Sequence, residues 1–422
     1  MNEQFLYYIW QYKQFNTRNL FTSTGEPVTI IQSGLRNTDA GPDFTMAKVK
    51  ISKTLWIGNV EIHVNASDWK AHSHDKDKNY ENIILHVVYY DDIKNTTSKH
   101  PCLELKNYMD VNLFTKYKSL IGAASVIPCS SQISSVDPFV INNWLDRILV
   151  ERLEHKTDII RLGLALNKNN WEETFYHALA KNFGAKINAE PFELLAKLLP
   201  LKVLAKHKNN LLQVEALLFG TAGLLDDKGE DAYFLSLKKE FSFLQKKYKL
   251  QPLEKHLWKF LRLRPANFPT IRLAQFAQLV HQSSHLFSKI LEVKNKKEIY
   301  KLFDCTPSEY WKTHYVFGKT SKAKPKSAGE IFIDLIIINT VAPFMFYYGK
   351  QKGDDYTTEK SLKLLATIKP ESNRIINEWE LIGIKANSAA ESQALIELKN
   401  NYCNHKRCLQ CAIGHKLLRQ KD

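Results

Sequence analysis

Acidic and histidine side chains are concentrated between residues 37 and 86. Glu61 and His63 stand two residues apart in an apolar run, so on a β-strand both side chains leave the same face. Asp43 opens the preceding apolar run after a Gly-Pro turn, and a pair of adjacent strands brings it to the other two. Two carboxylates brought together in this way can hold a hard cation such as Mg²⁺ or Mn²⁺, which activates a bound water. We interpret Asp43, Glu61 and His63 as candidate catalytic residues, with Asp43 and Glu61 as metal ligands.

A second cluster follows in the segment SDWKAHSHDKD (67–77). His72 and His74 have a spacing that chelates a transition metal on an extended stretch, with His63 and His86 expected nearby. The competing interpretation is a solvated polar turn, with His86 as a hydrogen-bonded core histidine. Both interpretations stay open on the sequence alone.

Three of the six cysteines, Cys403, Cys408 and Cys411, lie in the last twenty residues. Two cysteines separated by two residues can grip one ion, and this spacing is shared by zinc and iron–sulfur sites. The candidates for a fourth ligand are His405, His415 and Cys305. The alternative is three reduced thiols packed on a final helix.

The formal net charge is +15, and its distribution is uneven. Residues 1–130 carry 14 Lys and Arg against 13 Asp and Glu, so almost all of the positive excess lies beyond them. A basic surface attracts polyanions, nucleic acid above all. The competing explanation is a lysine-rich composition that only keeps the protein in solution.

Two basic segments are candidates for nucleic-acid binding. The first surrounds RPANFPTIR (264–272), where two prolines indicate an ordered turn whose arginines either bind phosphate or cap helix carbonyls. The second is KTSKAKPKS (319–327), which has no apolar periodicity and predicts an exposed, flexible basic loop. The candidate residues are Arg262, Arg264, Arg272, Lys322 and Lys324.

The elements that must position these residues change character near residue 130. A helix over 3–15 precedes strands at 28–32, 44–51, 55–64, 82–90 and 102–105 and a helix at 111–120. Beyond residue 138 the apolar period is 3.6, which predicts helices at 138–165, 171–183, 191–206, 209–224, 231–248, 252–262, 270–292, 296–302, 328–348, 358–368, 375–382 and 388–401. The fold class is therefore α+β: an α/β domain at 1–130, a basic helical domain at 131–400 and a Cys-rich segment at 401–422.

The N-terminal pattern resembles the PD-(D/E)XK phosphodiesterase superfamily. Pro42-Asp43 matches its first element, and Glu61-x-His63 stands where the superfamily has an acid-x-Lys pair. The resemblance implies an α-β-β-β-α-β core in which Asp43, Glu61 and the Ile62 carbonyl hold the metal, with a further carboxylate from Glu3. His63 departs from the usual lysine, so either Lys48 or Lys50 replaces it or His63 is itself a ligand or base.

The whole chain also resembles an uncharacterised bacterial family catalogued as a domain of unknown function. The resemblance rests on the segments GPDF, GNVEIH, SDWKAHSH, EALLFGTAGLL, RPANFPTIRLAQFA and YCNHKRCLQCAIG. It covers nearly the full length, but it implies no established activity.

We therefore expect a metal-dependent phosphodiesterase that acts on nucleic acid. Two alternatives remain: a noncatalytic nucleic-acid-binding or scaffold protein with a structural metal site, and a zinc hydrolase that uses His63, His72 and His74. The sequence contains no P-loop, dinucleotide-binding fingerprint or GxSxG elbow. The N-terminus has no signal-peptide pattern and the most apolar stretch, 331–348, contains polar residues, so we expect a cytoplasmic protein with no membrane partner.

Overall fold

The computed structural model describes residues 1–93, 99–226 and 229–420. The chain divides into two compact units, the first made of residues 1–144 and 399–422 and the second of residues 145–398. The fold class is α+β, as the sequence predicts, because one mixed sheet is followed by a large helical region. The boundaries expected from the sequence lie at residues 130 and 401.

The first unit is built on a seven-stranded sheet. Its strands are β1 Leu20–Phe21, β2 Pro27–Gln32, β3 Leu35–Arg36, β4 Phe44–Ile51, β5 Thr54–Asn65, β6 Ile83–Tyr90 and β7 Cys102–Glu104. The order is β1-β2-β4-β5-β6-β7, and β3 pairs with the start of β4. The pairs from β1 to β5 are antiparallel, whereas β5, β6 and β7 run parallel.

The hairpin between β4 and β5 follows from the alternation of the sequence. Ala47, Val49 and Ile51 are buried while the lysines between them are exposed, which is the period-two pattern of a half-buried strand. Ser52 turns the chain with a φ of 52°. A bulge near Met46 shifts the register between Phe44 and Ala47, so the first residue of β4 pairs with Val60.

Three helices of the first unit lie before the helical region: α1 Glu3–Gln11, α2 Asp68–Ala71 and α3 Val111–Gly122. The Asn2 side chain caps α1 by accepting from the amide of Phe5. Phe5 packs against the rings of Phe114 and Tyr117 on α3. Helix α2 lies in the crossover that makes β6 parallel to β5, where a connection longer than a hairpin turn is required.

The C-terminal segment completes the first unit and does not stand alone. Its last helix, Ala412–Arg419, buries Ile413, Leu417 and Leu418 and contacts α3. Further along, the Gln420 carbonyl accepts from Lys116. Apolar burial of this short amphipathic helix explains why residues 399–422 belong with the N-terminal part.

The second unit is helical apart from one short hairpin. Helix α4, Pro138–Leu166, leads into this unit. The helices that follow are α5 Trp171–Phe183, α6 Ala189–Leu198, α7 Leu201–His207, α8 Leu211–Thr221, α9 Ala232–Tyr248, α10 Pro269–Gln282, α11 Leu286–Glu292, α12 Lys296–Phe303, α13 Glu330–Ile336, α14 Ala342–Lys352, α15 Asp355–Ala366, α16 Arg374–Leu381 and α17 Ala389–Glu397. The C-terminal helix of the first unit is α18, Ala412–Arg419. The hairpin is β8 His314–Val316 with β9 Lys319–Thr320.

A π-helical turn, Ile337–Val341, joins α13 to α14. Among the described residues, the resulting helix Glu330–Lys352 is the one long and apolar enough to span a membrane, with a mean hydropathy of 1.7. Of its apolar window, 67% is buried inside the protein, and the core helix of a globular protein passes the same test.

The expected helix at 252–262 is wrong, because the chain there is extended with one 3₁₀ turn, Lys255–Leu257. Its backbone bonds elsewhere: the amide of Leu253 donates to Thr221, and the amide of Lys259 donates to the Asn188 side chain. The loop expected at 319–327 exposes Lys322 and Lys324 as predicted, but Lys326 is only 6% exposed. Its ammonium donates to the carbonyls of Trp311 and Lys312.

Candidate metal centre

Strand β5 supplies the two central residues of the site. Glu61 is 5% exposed and His63 is 1% exposed, and alternation along the strand puts both on one face. Nε2 of His63 lies 3.7 Å from Oε1 of Glu61. The predicted pairing of these two side chains on one strand is confirmed.

The crossover after β5 adds two more imidazoles. His72 ends α2, and His74 begins a 3₁₀ turn directly after Ser73, whose φ of 58° is left-handed. This reversal lets two histidines two residues apart face the same point. Nδ1 of His72 lies 3.2 Å from Nε2 of His63, and Nε2 of His74 lies 3.3 Å from Oε1 of Glu61.

These separations match the edges of a tetrahedral coordination shell. Bonds of 2.0–2.1 Å to nitrogen and oxygen put the donor atoms of a tetrahedral ion about 3.3 Å apart. Three of the six separations among the donor atoms of the four groups are 3.2, 3.3 and 3.7 Å. Ligand atoms of His63, His72 and His74 all lie within 4.8 Å of one another. The buried Nε2 of His74 lies near Oε1 of Glu61 but makes no hydrogen bond, and a metal ion would satisfy it.

His86 and two aromatic rings surround the cluster. Nε2 of His86, on the neighbouring strand β6, lies 2.9 Å from Nδ1 of His63. Trp69 lies edge-on to His63, and the Tyr80 ring stacks on His74 with centroids 3.9 Å apart. The rings fix the orientation of the imidazoles and limit the access of water to them.

Asp43 and Arg36 lie next to Glu61. The amide of Asp43 donates to Oε2 of Glu61, while Oδ2 of Asp43 accepts from the amide of Ile62, each at 3.0 Å. Oδ1 of Asp43 pairs with the Arg36 guanidinium at 3.1 Å, and that guanidinium lies over the Tyr7 ring. The carboxylate of Asp43 is therefore already engaged on both oxygens, although each keeps a lone pair.

Burial controls the charge of the cluster. It lowers the pKa of His63 to about 2, with His86, His74 and His72 adding to the effect, so the ring is neutral with a lone pair to donate. Burial and the neighbouring Asp43 raise the pKa of Glu61 to about 8. The pKa of Glu3 on α1 is raised by burial and then by Asp43, and lowered by His72, so Glu3 is close to both. A cation among these groups would favour the charged carboxylates.

The structure does not bring Lys48 and Lys50 to this cluster. Lys48 pairs with Ile57, four residues before Glu61, which is roughly 13 Å along a strand, and Lys50 lies further away. Both lysines are exposed. The cation beside the carboxylates is Arg36, which the sequence analysis missed; its nearness in sequence to Asp43 was the available signal.

The thiols of Cys403, Cys408 and Cys411 are joined by that of Cys129. Burial and then the thiols of Cys411 and Cys408 raise the pKa of Cys129 to about 12. The pKa of Cys403 is raised by burial and then by Cys129, Cys411 and Cys408, so the four thiols interact electrostatically. The backbone N–H groups of Ile413 and Gly414 hydrogen-bond to the sulfur of Cys411.

The three candidate fourth ligands lie in different surroundings. Cys305 is buried in the second unit and interacts with Arg272. His405 is exposed, and the His415 ring packs against Tyr8 and Tyr12 on α1. Cys129 was missed because it lies 274 positions before Cys403, outside any local spacing pattern.

The basic candidates of the second unit separate into two groups. Arg262 and Arg264 are exposed, as are Lys322 and Lys324. Arg272 instead turns inward, where it lies over the Phe332 ring. The five candidate residues are therefore divided between the surface and the interior.

A family model described as "Protein of unknown function (DUF2851)" matches residues 3–374. The match includes every residue of the histidine cluster and ends before the three C-terminal cysteines. No curated protein and no solved structure matches the chain.

Proposed function

For a chain that belongs to the DUF2851 family of unknown function, the site itself is the guide to activity, and we propose a metal-dependent phosphodiesterase that acts on nucleic acid. The observation that carries the proposal is the convergence of His63, His72 and His74, with Glu61 3.3 Å from His74 and an arginine–aspartate pair beside it. The remaining support comes from the element order and from the charge of the chain.

The donor set favours zinc among the cations considered. Three imidazoles with a carboxylate beside them suit Zn²⁺, Mn²⁺ accepts the same mixture less readily, and Mg²⁺ prefers an all-oxygen shell. The neutral His63 ring fits a resident transition metal, as does the buried Nε2 of His74, which makes no hydrogen bond. Held by the three imidazoles, such an ion would keep a fourth position for a water, which it would acidify, and it would polarise a phosphoryl oxygen.

Residues around the cluster would orient a phosphodiester. Arg36 presents a guanidinium, whose donors match phosphate oxygens bidentately, and its pairing with Asp43 fixes its position. The hydrogen bonds of Asp43 with Glu61 and Ile62 also hold the start of β4 against β5, and this fixes the position of the guanidinium relative to the two strands. Charge that develops on the phosphate in the transition state would then meet a preorganised cation.

The element order supports the resemblance to the PD-(D/E)XK superfamily. Apart from two short strands, the first unit runs α1, β2, β4, β5, α2 and β6, an α-β-β-β-α-β sequence. Asp43 precedes one strand and Glu61 lies on the next, as the resemblance implies. His63, at the position of the usual lysine, would serve as a metal ligand.

Nucleic acid is the favoured substrate because of charge. Residues 145–398 carry 39 Lys and Arg against 29 Asp and Glu, a net charge of +10, so the helical unit attracts polyanions that carry phosphodiesters. A zinc hydrolase with a non-nucleic substrate is the second candidate, favoured by the three histidines alone.

We also propose a metal held by Cys129, Cys403, Cys408 and Cys411. Thiolates with N–H donors at the sulfur are typical of zinc and iron–sulfur sites. A single zinc ion holds its sulfurs about 3.8 Å apart, yet among the described residues the only set of three ligand atoms within 4.8 Å is the histidine set. The wider spacing of the sulfurs favours an iron–sulfur cluster.

The test is a cleavage screen with single- and double-stranded DNA and RNA in Zn²⁺, Mn²⁺ or Mg²⁺. Wild type is compared with Glu61→Gln, His63→Ala and Arg36→Ala, and with Lys48→Ala as the control on the same sheet. The proposal is supported if the parent protein cleaves nucleic acid, the first three substitutions abolish cleavage, and Lys48→Ala leaves it intact. Hydrolysis of carboxylic esters without cleavage of nucleic acid would favour the second candidate, and no turnover with a fully metallated protein would reject both.

A further inference from the structure

A cavity of about 520 Å³ lies entirely within the second unit. It is bordered by the turn after α5, the start of α10, the segment 324–327 and α13. Its volume falls within the range of small-molecule sites, roughly 300–1,000 Å³. A lone phosphate ion would fill only part of it, so the natural occupant is larger.

Arg272 lines this cavity without a carboxylate partner. Its Nη1 donates to Oε1 of Gln275 at 2.8 Å, and its Nη2 donates to Oδ1 of Asn267 at 2.6 Å. Both acceptors are neutral amides, and among the described residues no ion pair includes Arg272. A guanidinium has five N–H donors, so three remain for a ligand.

The other charged residues of the lining are also cations. Lys326 is 6% exposed and donates to the Trp311 and Lys312 carbonyls, while Lys186 and Lys324 reach the cavity from two different segments. No Asp or Glu occurs among the lining residues that the structure describes. Buried charges are normally paired, and here the protein supplies no counter-charge. Burial also lowers the pKa of Arg272, to about 10.

The remaining walls are aromatic and aliphatic. Phe183, Phe192, Tyr315, Phe332 and Ile331 contribute to the lining, and Ile331 is 81% exposed. Arg272 stacks on the Phe332 ring at 3.5 Å. A ligand complementary to this cavity therefore has two parts. One is an anionic group that can accept hydrogen bonds from the Arg272 guanidinium, and the other is a flat apolar ring system that can pack against the aromatic side chains.

We propose that this cavity binds a nucleoside phosphate, with the phosphate at Arg272 and Lys324 and the base against the aromatic walls. The same chemistry is presented by a free nucleotide and by the 5′-phosphorylated end of a strand. The site is distinct from the histidine cluster, and the proposal does not depend on the activity of that cluster.

The experiment is titration of the full-length protein by calorimetry. The probes are AMP, ATP, adenosine, inorganic phosphate, and one short oligonucleotide with and without a 5′-phosphate. AMP should bind at least about tenfold more tightly than adenosine, since a charge-assisted hydrogen bond contributes on that scale. Binding of AMP identifies a free nucleotide site, whereas binding of only the 5′-phosphorylated oligonucleotide identifies a strand-end site; both outcomes support the proposal.

Variants separate this cavity from general basic charge. Lys324→Gln and Arg272→Gln should each weaken binding by about tenfold or more, whereas Lys289→Gln, which removes an exposed lysine that does not line the cavity, should leave it unchanged. Thermal unfolding of each variant excludes a folding defect, and the exposed Lys324 carries the conclusion if Arg272→Gln is unstable. Equal affinity for adenosine and AMP, equal weakening by Lys289→Gln, or no binding of any phosphate compound would overturn the proposal.

Discussion

His86 holds His63 from the neighbouring parallel strand, with Nε2 of His86 2.9 Å from Nδ1 of His63. This contact directs Nε2 of His63 toward Glu61 and His72. For that nitrogen to donate a lone pair, the ring proton of His63 must reside on Nδ1 and be donated to His86. His86 therefore has the position of a residue that orients a ligand without binding the ion.

His86→Ala should lower the affinity of the site for zinc by roughly 10- to 100-fold, the cost of removing such an orienting partner. The cause is loss of the fixed tautomer and ring position of His63. Competition with a chromophoric chelator measures the affinity. The exposed His256 provides the matched control, and unchanged zinc affinity in His86→Ala would contradict the orienting role.

Glu61→Gln should abolish zinc-dependent turnover, by at least about 100-fold, the scale of losing a transition-state contact. The amide keeps the size of the side chain and can still accept from the Asp43 amide. Nucleic-acid affinity, measured by anisotropy at fixed salt, should be close to that of the parent protein. A variant that loses affinity while the parent shows no turnover would point to a binding protein instead.

Cys129→Ser should remove the C-terminal metal as completely as Cys411→Ser. Both sulfurs belong to one four-thiol cluster, and three remaining ligands bind weakly. Elemental analysis and the visible absorption of the anaerobically purified protein report zinc and iron–sulfur, respectively. Cys305→Ser is the control, because this buried cysteine lies in the other unit. Retention of metal by Cys129→Ser would limit the site to the local cysteines.

We expect the ionisation of Glu215 to lower the free energy of unfolding of the second unit as the pH rises. Burial raises the pKa of Glu215 from 4.5 to about 7, so the folded chain keeps its proton where the unfolded chain has lost it. The stabilisation is complete below about pH 4.5 and is lost as the pH rises to about 7. The loss is at most about 3 kcal/mol.

Glu215→Gln should remove this dependence, because Ser308 can donate to the amide oxygen as it does to the carboxyl group. Urea unfolding of variant and parent at pH 5 and pH 8 gives the comparison, and the variant should gain stability relative to the parent at the higher pH. Exposed Glu309 supplies the control substitution. A constant difference between variant and parent would refute the assignment to Glu215.

The sheet and its central pair of residues could be predicted because their signals are local. The alternation in 44–51 gives β4 its buried face, and the period of two puts Glu61 and His63 together. His72 and His74 reach that pair because Ser73 between them adopts a left-handed backbone conformation, which the pattern of apolar residues does not predict. The sequence therefore left the histidine cluster and the polar turn as equal alternatives.

The errors have a common physical cause, which is long-range contact. Segment 252–262 has a helical apolar period, yet hydrogen bonds to Thr221 and Asn188 hold it extended. Lys326 was expected in solvent, but carbonyls from a distant 3₁₀ turn bind its ammonium. Cys129 and Arg36 joined their sites through tertiary packing and strand pairing. No single-sequence period reports such contacts.

The helical unit is an insertion between residues 144 and 399 of the other unit. On a ribosome, the sheet is therefore made first but lacks α18, whose apolar face covers α3, until residues 412–419 have emerged. Removal of α18 would expose the apolar surface of α3, so this helix is part of the core of the first unit. A shortened gene that joins residue 144 directly to residue 399 by a flexible linker would be expected to preserve it.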